Sequence, residues 1–182
     1  MDASTDSLLV AIADDRALIR VVGRGSFKSS SALKKFGVLA IEKGCREVRM
    51  DLESCAGMDS TFMGVVAGLA VRLRREKNGD LVMFNMNPKN LNLIRTLGLD
   101  RLVRSFEAAA PAGQSEAPSV PARELSKLEA EPADKRMTAE TMLEAHEELI
   151  RLLPENLPKF KDVIAYLKED LKIPEPPDER NR

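Results

Sequence analysis

Apolar and polar positions alternate at both sheet and helix periods along the first hundred residues. "SLLVAIA" (7–13) is a short apolar run. Asp14-Asp15 supply a turn, and "RALIRVVG" (16–23) alternates and is β-branched, so the pair predicts a hairpin. Gly23 and Gly25 break it. Ser29, Ser30 and Ser31 offer N-caps for a helix to about Lys43, with Leu33, Phe36, Ala40 and Ile41 at helical spacing and Gly44 as the stop. "REVRMDL" (46–52) reads as a strand with Val48, Met50 and Leu52 on one face. Over 62–73, Phe62, Val65, Val66, Leu69 and Leu73 form one helical stripe. Arg72, Arg74, Arg75 and Lys77 suit the negative end of its dipole, and Asn78-Gly79 ends it. "DLVMFNM" (80–86) is a further strand. Asn87-Pro88 starts a helix with Leu91, Ile94 and Leu97 inward and Gly98 as its stop, and "DRLVRSFE" (100–107) can be a last short strand. The order β-β-α-β-α-β-α-β predicts an α/β domain over 1–107 with a mixed, mostly parallel sheet.

The pattern changes at Ala108. Residues 108–136 read as a Pro/Ala-rich linker, with at most a weak helical turn or two in "RELSKLEAEPADKR". Two amphipathic helices follow within 137–173. One carries Met142, Leu143, Leu149, Ile150 and Leu153; the other carries Phe160, Val163, Ile164, Leu167 and Leu171. "PENLP" is a short turn, so they predict an antiparallel hairpin, and 174–182 reads as a disordered tail. Below about 40 residues a chain rarely buries such stripes alone. The hairpin is therefore expected to dock on the first domain, on a second copy as a homodimer, or on a partner.

Composition narrows the function. At 182 residues there is room for one domain and an appendage. With 43% apolar residues but 4% aromatic and no Trp, aliphatic residues and Met must fill the core. The net charge of −1 conceals an asymmetry: residues 1–106 hold 17 Lys/Arg against 12 Asp/Glu, and residues 107–182 hold 11 against 17. The net charge argues neither for nor against nucleic acid, and no nucleic-acid partner is expected. Cys45 and Cys55 form no zinc pattern with the sole histidine, His146, and read as buried thiols of a reducing compartment. No signal peptide and no run of about 18 apolar residues is present, so a cytoplasmic, soluble protein is expected. Gly23-Arg24-Gly25 lacks the pattern of a phosphate-cradling loop, and no cofactor or metal is expected.

The chemistry concentrates at Asp59-Ser60-Thr61, within "CAGMDSTFMGVVAGLA" (55–70). Asp59 or Ser60 can cap the following helix. Ser60 could be a nucleophile, but it is not in G-x-S-x-G and the first domain has no histidine to serve as base, so an enzyme is not expected. A hydroxyl at a helix mouth can also accept a phosphate, whose charge the free N–H groups and the dipole favour.

"VVGRGSFKSSSALKKF", "REVRMDLESCAGMDSTFMGVVAGLA" and "LVMFNMNPKNLNLIRTLGLDRLV" resemble the STAS domain of anti-sigma-factor antagonists, over roughly Leu8 to Phe106. The resemblance implies that Ser60, after Asp59 in a motif of the form Asp-Ser-Ser/Thr-Gly, is the phosphorylated serine. It implies an anti-sigma factor that is itself an ATP-dependent serine kinase, sequestered by the unmodified protein and released on phosphorylation, and a serine phosphatase that restores the complex. The implied partner surface comprises Arg24, Ser26, Lys28, Ser29, Asp59, Ser60, Thr61 and Phe62. The alternative is a STAS scaffold or adaptor in a signalling or transport assembly, without a phosphoswitch. A small-molecule binder on the same fold ranks below both. Three departures stand out: Phe62 replaces the motif's glycine, Gly25 replaces the Leu/Ile of a Gly-x-Leu/Ile landmark, and no helix is read directly after the last strand.

Overall fold

The computed structural model describes residues 6–107, 124–129 and 134–172. Strands β1 (Ser7–Ala13) and β2 (Arg16–Gly25) form the expected hairpin, turned at Asp14 with φ 54°. Helix α1 (Phe27–Glu42), β3 (Glu47–Asp51), β4 (Cys55–Met58) and α2 (Ser60–Lys77) follow. Then come β5 (Asp80–Phe84), α3 (Pro88–Leu97) and the two-residue β6 (Arg104–Ser105). The sheet runs β6-β5-β3-β2-β1-β7, with β4 pairing beside the end of β2. β2, β3, β5 and β6 are mutually parallel, while β1 and β7 are antiparallel to their neighbours. The fold is thus the expected mixed α/β arrangement.

The register sets the core. Ala17 faces Val48 and then Leu81; Ile19 faces Met50 and then Met83. These side chains share one face and join Leu33 and Ile41 of α1 and Phe62, Val66 and Leu73 of α2 in one buried cluster. The residues between them point the other way. There Asp51, although buried, pairs with Arg20 at 2.9 Å and accepts from Asn85 Nδ2 at 2.9 Å.

Several expectations are corrected. Ser29, Ser30 and Ser31 are not caps but lie inside α1. The cap is Ser26, whose backbone N–H donates to Ser29 Oγ at 3.3 Å, so the helix starts a turn earlier. β4 was not foreseen, because four residues including a glycine carry too little alternation. Part of the expected linker is β7 (Ser126–Lys127), paired with Leu9 and Val10 on the β1 edge. Leu128 N–H donates to Leu8 O at 2.8 Å and its side chain packs on the core. Most of the expected linker (108–123 and 130–133) and the tail 174–182 lie outside the described residues.

The helical hairpin is α4 (Lys135–Leu152) and α5 (Leu157–Asp170). It docks within its own chain. Ala145 and Leu149 of α4 and Phe160 of α5 belong to the main core. Ala139, Leu143, Leu167 and Leu171 form a second cluster between the two helices. The stripes offered for a homodimer are consumed internally, against α2 and against each other.

Candidate functional site

Two helix N-termini and one carboxylate build the site. β4 delivers Asp59 to the mouth of α2, where Asp59 N–H donates to Gly25 O at 2.9 Å across the strand pair. The Asp59 carboxylate then caps two helices. Oδ1 accepts from Phe62 N–H of α2 at 2.9 Å, and Oδ2 accepts from Phe27 N–H of α1 at 2.8 Å. Each bond satisfies an orphan donor, and one negative charge serves two positive dipole ends. The capping role therefore falls to Asp59, and the Ser60 hydroxyl is not needed for it.

These bonds draw the β2–α1 connection and the start of α2 to one edge. Arg24 and Lys28 are exposed there, Ser26, Ser29, Asp59 and Ser60 are half-buried, and Arg24 N–H donates to Asp6 Oδ1 at 2.9 Å. Thr61 and Phe62 do not join this surface: they are 3% and 0% exposed, a correction to their expected place at the partner surface. The cause for Phe62 is its ring, which lies over Gly25; a Cβ on Gly25 would meet Phe62 Cδ1 at 2.8 Å. The φ of Gly25 is not in the left-handed region, so close approach alone accounts for this glycine. The two departures at positions 25 and 62 are thus one exchange of volume, with the ring filling the space where a side chain at 25 would stand. Phe27, 42% exposed beside Asp59, was missed; an apolar residue between Ser26 and Lys28 is its sequence signal.

Ser60 has a partner from far along the chain. Its Oγ lies 2.9 Å from His146 Nε2 of α4. His146 Nδ1 is 2.7 Å from Met142 O, and a carbonyl only accepts, so Nδ1 holds the proton and Nε2 accepts from the serine hydroxyl. Burial pushes the His146 pKa below its ordinary value, against the opposing pull of the Met142 carbonyl and the Asp59 charge, so the ring is neutral at pH 7. Phe160 of α5 tilts against the ring at 4.8 Å between centroids. His146 was not foreseen as a neighbour of Ser60. Its spacing from Met142 and Leu149 places it on the helix's apolar side, but not against Ser60.

Docking rests on close contact between α2 and α4. A Cβ on Gly64 would come within 2.2 Å of Ala145 O, so only glycine lets the backbones cross there. Ser31 of α1 hydrogen-bonds Thr141 at 3.2 Å, and Lys34 pairs with Glu144. At the hairpin turn, buried Asn156 Nδ2 donates to Leu97 O at 3.0 Å and Leu149 O at 2.9 Å. An exposed ion pair contributes little, so opposite module charge explains less of the docking than apolar and backbone fit.

A neutral histidine accepting from a serine is the pairing that base-activated nucleophiles use, and here the histidine comes from α4 of the hairpin. The N–H groups of Phe27 and Phe62 are already held by Asp59. A groove of about 310 Å³ between α1, α2 and α4 is lined by Lys34, Gly64, Arg72 and Glu148 among others, not by Ser60 or His146. Cys45 and Cys55 are buried and their thiol pKa values are raised by that burial. No helix among the described residues is long and apolar enough to cross a membrane.

A family model described as "Mlab, STAS domain" matches residues 8–104. Among solved structures, a Thermotoga maritima protein provisionally assigned as an anti-sigma factor antagonist is 19% identical, covering 58% of this chain and 90% of its own, with a TM-score of 0.52. The anti-sigma factor antagonist SpoIIAA in its unphosphorylated form is 18% identical over 60% of this chain and 92% of its own, with a TM-score of 0.51. At such identities the likeness is one of fold. The hairpin lies beyond the family match.

Proposed function

The chain belongs to the STAS domain family, and from that premise we propose that it works as an anti-sigma-factor antagonist switched at Ser60. Unmodified, it binds an anti-sigma factor that is also a serine kinase, in the cytoplasm, and so frees a sigma factor for transcription. Binding uses the edge formed by Arg24, Ser26, Lys28, Ser29, Asp59 and Ser60. Phosphorylation of Ser60 ends the complex, and a serine phosphatase restores it. The protein is a binding partner in this reading, not an enzyme.

One observation carries the proposal: Asp59 caps both α1 and α2, which leaves the adjacent Ser60 hydroxyl free to change without loss of either cap. Thr61 is buried, which favours Ser60 as the acceptor. The test is incubation of the full chain with candidate anti-sigma serine kinases and ATP, read by intact mass. One phosphate is expected on the native chain and none on Ser60→Ala. A phosphate on Ser60→Ala, or none on the native chain with any kinase that binds it, contradicts the proposal. The second reading, an adaptor without a phosphoswitch, draws support from His146, which holds the Ser60 hydroxyl under α4.

A further inference from the structure

The hairpin lies on the element that presents Ser60, and its contacts fall into two kinds. Within the hairpin, Ala139, Leu143, Leu167 and Leu171 make a cluster of their own, with Val163 and Ile164 packed against both it and the main core. Between the hairpin and the domain, part of the contact is made by polar side chains: Ser60 with His146, Ser31 with Thr141, Lys34 with Glu144. Water can replace each of these partners at small net cost. A groove of about 310 Å³ opens along the margin of the hairpin's seat, between α1, α2 and α4. The hairpin thus has internal cohesion of its own, and a seat that joins these polar pairs to the apolar contacts of Ala145, Leu149 and Phe160.

We propose that the α4–α5 hairpin is a detachable intramolecular cover over Ser60: docked, it withholds the serine hydroxyl beneath His146, and lifted, it opens Ser60 and the face of α2 to a modifying enzyme or partner. The cover follows from contacts within the chain. Its regulatory meaning rests on the phosphoacceptor reading of Ser60. A kinase would meet its substrate only in the lifted state, so the rate of modification would scale with the lifted fraction. A partner helix seated on α2 would compete with α4 for the surface around Gly64.

Hydrogen exchange on the unmodified full chain tests the cover without any kinase. The amides of α4 and α5 should exchange together, with protection lower than that of β2, β3 and β5 by about tenfold or more, a factor of ten in opening being ~1.4 kcal/mol. Equal protection of hairpin and sheet would mean that they open only in global unfolding, and would overturn the proposal. A second measurement uses the Ser60→Cys chain, with the buried native thiols as background, and its rate of maleimide labelling. Adding Ala145→Arg, which forces a long cation into the α2–α4 crossing, should raise the rate about tenfold or more in a chain that keeps its α/β circular dichroism. An unchanged rate in that folded chain would also overturn the cover. Success here with failure of the kinase experiment would leave the cover standing and remove only the phosphoacceptor reading.

Discussion

At the scale of single residues, Asp59 and the Gly25–Phe62 pair decide the shape of the edge. Asp59 ties two helix starts to one carboxylate, and the ring of Phe62 occupies the space above Gly25. The resemblance made each of these positions look like a separate departure. The packing makes them one compensated change, and a double-mutant cycle can measure it. Gly25→Leu alone overpacks against the ring and should cost about 1–3 kcal/mol. Phe62→Ala alone leaves a cavity in a fully buried site and should cost about 3–5 kcal/mol. The double variant should cost less than the sum, by about 0.5–3 kcal/mol, read by urea unfolding. Strict additivity would show that the two positions do not share the space.

At the scale of elements, most helices and strands were legible because each carries its own period and its own stop. The turn at Asp14, the Asn87 cap followed by Pro88 and the left-handed Gly98 were all readable locally. β7 was not, because it exists only through its pairing with Leu9 and Val10. The Ser60–His146 contact was not, because it joins residues 86 apart in sequence. A helical stripe says that a face is buried but not against what. Asn156 shows the same limit: a polar residue in a five-residue turn gives no sign that its amide pins the hairpin to the end of α3. Asn156→Ala leaves the Leu97 and Leu149 carbonyls without that donor. It should weaken hairpin docking by about 1–3 kcal/mol, seen as faster hydrogen exchange in α4 and α5 with little change in β3 and β5. Faster exchange in the sheet by the same factor would show that Asn156 supports the whole domain instead.

At the scale of the whole molecule, a STAS domain presents its edge while its own C-terminal helices lie across the neighbouring face. Two loops meet at that edge because Asp59 joins them, and the Ser60 hydroxyl beside Asp59 takes no part in either cap. The central claim is that a phosphate on Ser60 decides partner binding. It would add about −1.5 to −2 charges beside Asp59, and an unpaired charge buried at an interface costs about 3–5 kcal/mol. With ~1.4 kcal/mol per factor of ten, affinity should fall about 100-fold or more. The direct measurement is calorimetric titration of one anti-sigma serine kinase with the unmodified chain and with the chain phosphorylated at Ser60. The account predicts tight binding by the first and a loss of about 100-fold or more for the second. Equal affinity of the two forms would contradict it.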